Sequence, residues 1–221
     1  MNTFENLRRE IDKIDANLIS LLKQRASVVE QVKDFKNSTK SEDFTLYIKP
    51  DREYAILIKV IQSQGYSKEF FYNTWRGIIS ASNFLEQNLN LLAVCEQSQN
   101  DIFHHFGGHK APSLEVDVSM AFELLQKNKH HILAFKESNI AAFNLLQTYT
   151  NITIFAITHS FGSEKTLLCG KISLQHFLYP AVFLTTNNTG MLFNEEAKIY
   201  TSETLDTKCI GAFYPLPLQL L

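Results

Sequence analysis

After Arg76 the chain has no arginine: Arg8, Arg9, Arg25, Arg52 and Arg76 are the only five, and nearly two thirds of the sequence follows without one. A site that grips carboxylates with guanidinium forks therefore belongs to the first part of the chain. Cysteine is also scarce. Cys95, Cys169 and Cys209 are odd in number, widely spaced and outside any CxxC pair, which argues against a disulfide framework and a zinc site and suits a reducing compartment. There is no excess of positive charge: the formal net charge is -2, so neither nucleic acid nor an anionic membrane is expected as the main partner, and a small ligand is favoured. No apolar run approaches the length of a membrane span, and charged residues from Glu5 onward give the beginning no signal-peptide character. A cytoplasmic protein is the expectation.

What remains is an ordinary globular composition, 45% hydrophobic and 20% charged over 221 residues, enough for one large domain or two small ones with a sizeable core. The periodicity divides the chain near residue 90. Residues 1–90 are expected to form an all-α domain of three helices: one from about Thr3 to Phe35, one opened by Pro50 at a first-turn position, and one opened by Ser67 and running to about Asn88. "NSTKSED" at 37–43 and Gly65 supply the turns between them. In residues 91–221, short β-rich runs ("LLAV", "HILAF", "ITIFAITHSF", "KTLLCGKI", "PAVFLTT", "CIGAFYPL") alternate with at least two helical stretches, 118–128 and 138–148. That pattern predicts a small α/β domain built on a sheet. No flexible linker separates the parts, so the third helix is expected to run almost directly into the first strand.

The first helix carries a seam. Positions 4, 7, 11, 14, 18, 21, 25, 28, 32 and 35 alternate spacings of three and four and hold Phe, Leu, Ile, Ile, Leu, Leu, Arg, Val, Val and Phe, a coiled-coil pattern interrupted by one cation. A helix of about 33 residues is about 50 Å long, more than a domain of this size covers by itself, and two copies packed together would bury it. Arg25 in the seam reads either as a register-setting or snorkelling residue or as a ligand-binding one. Lys36, eleven residues on, falls on the same face, which directs two cations into one interior. Arg8, seventeen residues before Arg25, is rotated by roughly 100° from that face and does not easily serve the same site from the same helix, but in a dimer of long helices it could reach the site of the other protomer. Arg52 and Glu53 follow Pro50 in the first turn of the second helix. In the third, Ser82 follows Phe71, Trp75 and Ile78 on an apolar stripe, with Glu86 one turn beyond.

Taken together, "LRREIDKIDANLISLLKQR", Lys36, "PDREYAIL" and "IISAS" resemble the all-helical class of chorismate mutase over roughly residues 4–88. "YIKPDRE" and "WRGIISAS" resemble the versions of alphaproteobacterial members, which carry a further domain of about this size. The resemblance implies an intertwined homodimer with two active sites, binding of chorismate and its conversion to prephenate, and no cofactor or metal. By the same resemblance Arg8 crosses to the partner's site, Arg25 and Lys36 bind substrate from the first helix, Arg52 and Glu53 from the second, and Ser82 and Glu86 from the third. Lys36 and Glu86 would address the ether oxygen, Glu53 the ring hydroxyl. Some members carry aspartate where Lys49 stands, so no role is transferred there.

Many members have glutamine at the position of Glu86. An ionised glutamate only accepts hydrogen bonds, so Glu86 must be protonated to donate; burial favours that form and Lys36 opposes it. Gln87, turned by about 100°, is the second choice for the role. Residues 91–221 vaguely resemble one lobe of prephenate dehydratase, through "VDVSMAFELLQKNKHHILAFKES". "AVCEQSQND" replaces that lineage's glycine-rich opening, and its Thr-Arg-Phe is impossible without arginine, so no dehydratase activity is expected. "HHFGGH" groups His104, His105 and His109 at spacings that fit no standard zinc arrangement, and "TTNNTG" at 185–190 reads as a polar loop between strands. The alternatives to a mutase are an isochorismate pyruvate lyase-like enzyme and a non-catalytic binding or regulatory protein that retains the fold.

Overall fold

A computed structural model of the chain describes residues 3–38, 48–108, 116–159, 164–173, 182–185 and 209–213. Most of "NSTKSED", His109 and residues 186–190 of "TTNNTG" lie outside the described residues. Within them the chain is α in its first part and α/β in its second.

The first helix, α1 (Phe4–Ser38), has 35 residues and is therefore about 52 Å long. None of its residues is buried. The seam residues Leu7, Ile11, Ile14, Leu18, Leu21 and Val28 all face outward, Leu21 with 59% of its surface exposed. After a stretch outside the described residues, Pro50 opens α2 (Pro50–Ile61), with Asp51 and Glu53 in the first turn where the helix dipole favours acids. Its buried residues Glu53, Leu57, Val60 and Ile61 recur at the three- and four-residue spacing of one helical face. The turn to α3 (Lys68–Glu86) uses Gly65 at φ +111°. Ser67 then caps α3, its Oγ accepting from the Phe70 N–H at 3.1 Å. As the sequence predicts, α3 leads almost at once into β1 (Asn90–Ala93).

The second part continues α4 (Glu96–His105), α5 (Val118–Lys127), β2 (His131–Lys136), α6 (Ile140–Thr148), β3 (Thr153–His159), β4 (Lys165–Gly170), β5 (Val182–Thr185) and β6 (Cys209–Phe213). The strands form one mixed sheet in the order β1-β2-β4-β3-β6-β5. Neighbours β1 and β2 are parallel, as are β3 and β6; the other pairs are antiparallel. At the β3–β6 pair, a Cβ on Gly211 would lie 2.5 Å from both the Cβ and the carbonyl oxygen of Ile154. Only glycine lets these two backbones meet.

Alternation along the strands builds a core on each face. Leu133 and Phe135 of β2 and Leu167 and Cys169 of β4 face Ala121, Phe122 and Leu125 of α5 and Phe143 and Leu146 of α6. Ile132, Ala134 and Leu168 face the other way, toward Ile102 and Phe106 at the end of α4, and Ile48 and Leu89 join them there. The ring of Phe84 on α3 meets Phe106 edge-on at 5.8 Å. The helical part is thus packed directly against the α4 side of the sheet. The sequence pattern does not reveal α4, and the reason is visible in its composition: only Ser98 and Ile102 are buried in "EQSQNDIFHH", too few apolar residues to show a period.

Candidate functional site

Where α1 meets α3, the residue out of place in the seam finds its partners. The guanidinium of Arg25 donates through Nη1 to Ser82 Oγ and, at 3.4 Å, to the carbonyl of Ile78. Ser82 donates its own proton to the same carbonyl at 2.9 Å, which leaves its oxygen lone pairs to Arg25. One end of the site is therefore a fixed cation on a hydroxyl shelf.

Arg25 is held below the ordinary arginine range, first by burial and then by the nearby charge of Arg52. It stays ionised all the same. Two guanidinium groups drawn together repel each other, and an anion placed between them relieves that repulsion. Arg52 itself is exposed on the first turn of α2.

About three turns further along α1, Lys36 Nζ forms an ion pair with Glu86 Oε1 on the last turn of α3, the side chains being 27% and 13% exposed. Lys33 Nζ donates to the carbonyl of Leu85 at 3.3 Å. The end of α3 thus gathers the two lysines of α1 at its negative dipole end. Arg25, Ser82, Lys36 and Glu86 consequently line one α1–α3 seam, with Arg52 close enough to act on it.

Two of the expected residues sit elsewhere. Arg8 lies about 25 Å up the helix from Arg25, with Nη1 3.8 Å from Glu5 Oε1 and its guanidinium 4.3 Å from the centre of the Phe4 ring. Within one chain it does not join the cluster. Glu53 is buried against an adjoining face of α3, about 100° round from Ser82, where its Oε2 accepts from Arg76 Nη1 at 2.7 Å and its Oε1 from Asn83 Nδ2 at 2.9 Å. Arg76 continues the network to the last residue of α4: its Nε donates to the carbonyl of His105 at 3.0 Å, and its Nη2 lies 2.7 Å from His105 Nε2.

Sequence alone assigns no role to Arg76, Asn83 or His105. The one available signal is the spacing of Arg76, Ser80 and Asn83, which puts three polar residues on a single helical face. His105, grouped with His104 in a pattern that fits no standard zinc arrangement, has Nε2 engaged with Arg76. Burial, reinforced by the charge of Arg76, pushes the ring well below the ordinary histidine range. It is therefore a neutral acceptor in a buried network. The adjoining Tyr72 hydroxyl is pushed up, chiefly by burial.

A second polar cluster ties α4 to the sheet. Lys136 Nζ at the end of β2 lies 2.9 Å from Asp101 Oδ2, which also accepts from Thr166 Oγ1 of β4 at 2.5 Å. This is a closed ion pair with its hydrogen bonds made. It braces the fold at some distance from the α1–α3 seam.

Among the described residues no helix is long and apolar enough to cross a membrane. No curated protein and no solved structure matches the chain. Residues 7–87, which take in nearly all of α1 and the whole of α2 and α3, match the family model of chorismate mutase type II, so the seam that gathers Arg25, Ser82, Lys36 and Glu86 lies inside a segment similar to that family.

Proposed function

We propose that the protein is a chorismate mutase, an isomerase that rearranges chorismate to prephenate for aromatic amino-acid biosynthesis in the cytoplasm. The observation that carries this reading is the convergence of Arg25, Ser82, Lys36 and Glu86 on the α1–α3 seam, with the charge of Arg52 beside Arg25. The reaction breaks one carbon–oxygen bond as one carbon–carbon bond forms within a single molecule, so no atom is gained or lost and no nucleophile, metal or redox group is needed. The protein has only to hold the compact, chair-like conformer and to place donors at the ether oxygen as negative charge grows there. Arg25 and Arg52 bind the carboxylates of the dianion, and Ser82 orients Arg25. Lys36 donates to the ether oxygen, joined by Glu86 in its protonated form. Glu53 accepts from the ring hydroxyl.

The reading includes a homodimer. The exposed seam of α1 is an apolar face of the kind two long helices bury against each other, and a second copy of the chain would bring its Arg8 into the cluster. The pairing of Glu86 with Lys36 is the observation that favours the non-catalytic alternative, because an ionised Glu86 cannot donate to the ether oxygen. Incubating the purified protein with chorismate and identifying the product decides between them. Prephenate formation, lost by at least about a hundredfold in Arg25→Ala, supports the mutase. Release of pyruvate points to lyase chemistry instead, and saturable binding without turnover to a binding protein.

A further inference from the structure

We propose that Arg76 is a positioning residue through which the α/β part of the chain sets the carboxylate of Glu53 for substrate. This inference rests on the mutase reading, since it concerns the acceptor that reading assigns to the ring hydroxyl. Through the end of α4, the α/β part thereby acquires a definite role, shaping the substrate site without contributing a group to the reaction.

Arg76 is only 9% exposed and uses all three nitrogens. Nη1 holds Glu53, while Nε and Nη2 hold the carbonyl and the ring of His105. A planar fork held on two sides cannot rotate toward one partner without losing the other. His105 is fixed in turn. It ends α4, where the free carbonyls carry the negative pole of the helix and attract a cation. Its ring meets Phe106 edge-on at 5.0 Å, and Phe106 is fully buried in the core between α4 and the sheet. For Nε2 to accept from Arg76, the ring must be neutral with its proton on Nδ1; burial and the adjacent guanidinium hold it so. Both oxygens of Glu53 are drawn toward α3, because Asn83 takes the second from the same side. The chain of contacts therefore runs from the sheet core through Phe106 and His105 to Arg76 and Glu53, and Glu53 adjoins Arg52 at the substrate end of α2. A shift of α4 against α3 moves the carboxylate with it.

A plain cross-brace between the two parts would use the same bonds, so the test must separate bracing from positioning. Steady-state kinetics with chorismate on the full chain would compare Arg76→Lys, His105→Leu, His105→Gln, Glu53→Gln and the doubles Arg76→Lys/Glu53→Gln and His105→Leu/Glu53→Gln, with thermal unfolding followed in parallel. Because the ring hydroxyl is remote from the bonds that change, the effect is expected mainly in KM. Arg76→Lys should raise it roughly tenfold and His105→Leu several-fold, whereas His105→Gln, whose amide oxygen still accepts from Arg76, should stay within about twofold. Once Glu53→Gln is present, neither change should add to it, since residues that act through one group are not additive. Unchanged KM in folded variants, or effects that multiply with that of Glu53→Gln, would overturn the inference and leave only a brace. Should Arg76→Lys fail to fold, the two His105 variants, which keep the Arg76–Glu53 pair, still decide. Absence of turnover in the unmodified protein would overturn the mutase reading and this inference together, whereas turnover with a flat KM series overturns this inference alone.

Discussion

Replacing Glu86 with glutamine should change the pH dependence of turnover more than its maximum. In the free protein Lys36 and Glu86 form an ion pair in which neither side chain is more than 27% exposed. A carboxylate there can accept from Lys36 but cannot donate to the ether oxygen, and its charge opposes the negative charge that develops on that oxygen. Two requirements then follow for the active form: Glu86 must take up a proton, and Lys36, which has three N–H donors, must direct one of them to substrate. The sign is fixed by the first. Turnover should rise as pH falls, because only the protonated acid supplies the second hydrogen bond. Turnover is correspondingly lost as pH rises. The loss is bounded by the worth of one preorganised donor to a developing oxyanion, about 3–4 kcal/mol, or roughly 10²–10³ in kcat.

Glutamine at position 86 donates at every pH. The ratio of kcat for Glu86→Gln to that of the unmodified protein should therefore rise with pH between about pH 5 and about pH 8, by no more than roughly 10²–10³. Stopped assays of prephenate across that range, with both proteins saturated in chorismate, would measure it. A flat profile in the unmodified protein, or a variant whose profile falls in parallel with it, would refute the reasoning, since either would mean that the proton on Glu86 is not the one being read.

Other outcomes follow from the same structure. Leu18→Asp in the exposed seam of α1 should convert a dimer to a monomer by light scattering and abolish turnover together with it, while a protein already monomeric before substitution would count against the paired helices. Asp101→Leu removes the carboxylate paired with Lys136 in a largely buried site and should cost about 3–5 kcal/mol in denaturant unfolding, much of it recovered in Asp101→Leu/Lys136→Met; equal losses in the two proteins would show that the charges are not the cause. Gly211→Ala forces β6 away from Ile154 and should lower stability by about 1–3 kcal/mol, measured as a fall in Tm with no change in KM for chorismate.

Much of the helical part is legible in the sequence because its signals are local. Pro50 and Ser67 mark helix starts through the chain's own geometry, and the α1 seam repeats often enough to fix both its length and its odd residue. The strands are legible for the same reason, each being a short apolar run between polar turns. What the sequence conceals depends on contacts between distant segments. Nothing around Glu53 announces that Arg76 and Asn83, more than twenty residues later, will occupy its oxygens. The polar helix α4 has its role written in Ile102, Phe106 and His105, which become informative only once the sheet is in place. Gly211 is a similar case, for its constraint is the backbone of Ile154 on another strand.

The division of labour within α3 explains why these two kinds of residue are so easily confused. Ser82 and Asn83 are neighbours in sequence, yet a helix turns them apart by about 100°. One receives Arg25 from α1, and the other holds Glu53 of α2. Glu86 and Arg76 are divided in the same way, the first toward Lys36 and the second toward His105. A single helix therefore presents one polar face to the proposed substrate site and another to the sheet domain, and rigid helical geometry fixes the angle between them. Movement of α4 reaches the Arg25 side by turning α3 as a body, or through Glu53 and α2. The comparison of His105→Leu with His105→Gln tests the second of these paths, since it alone runs through a single replaceable carboxylate.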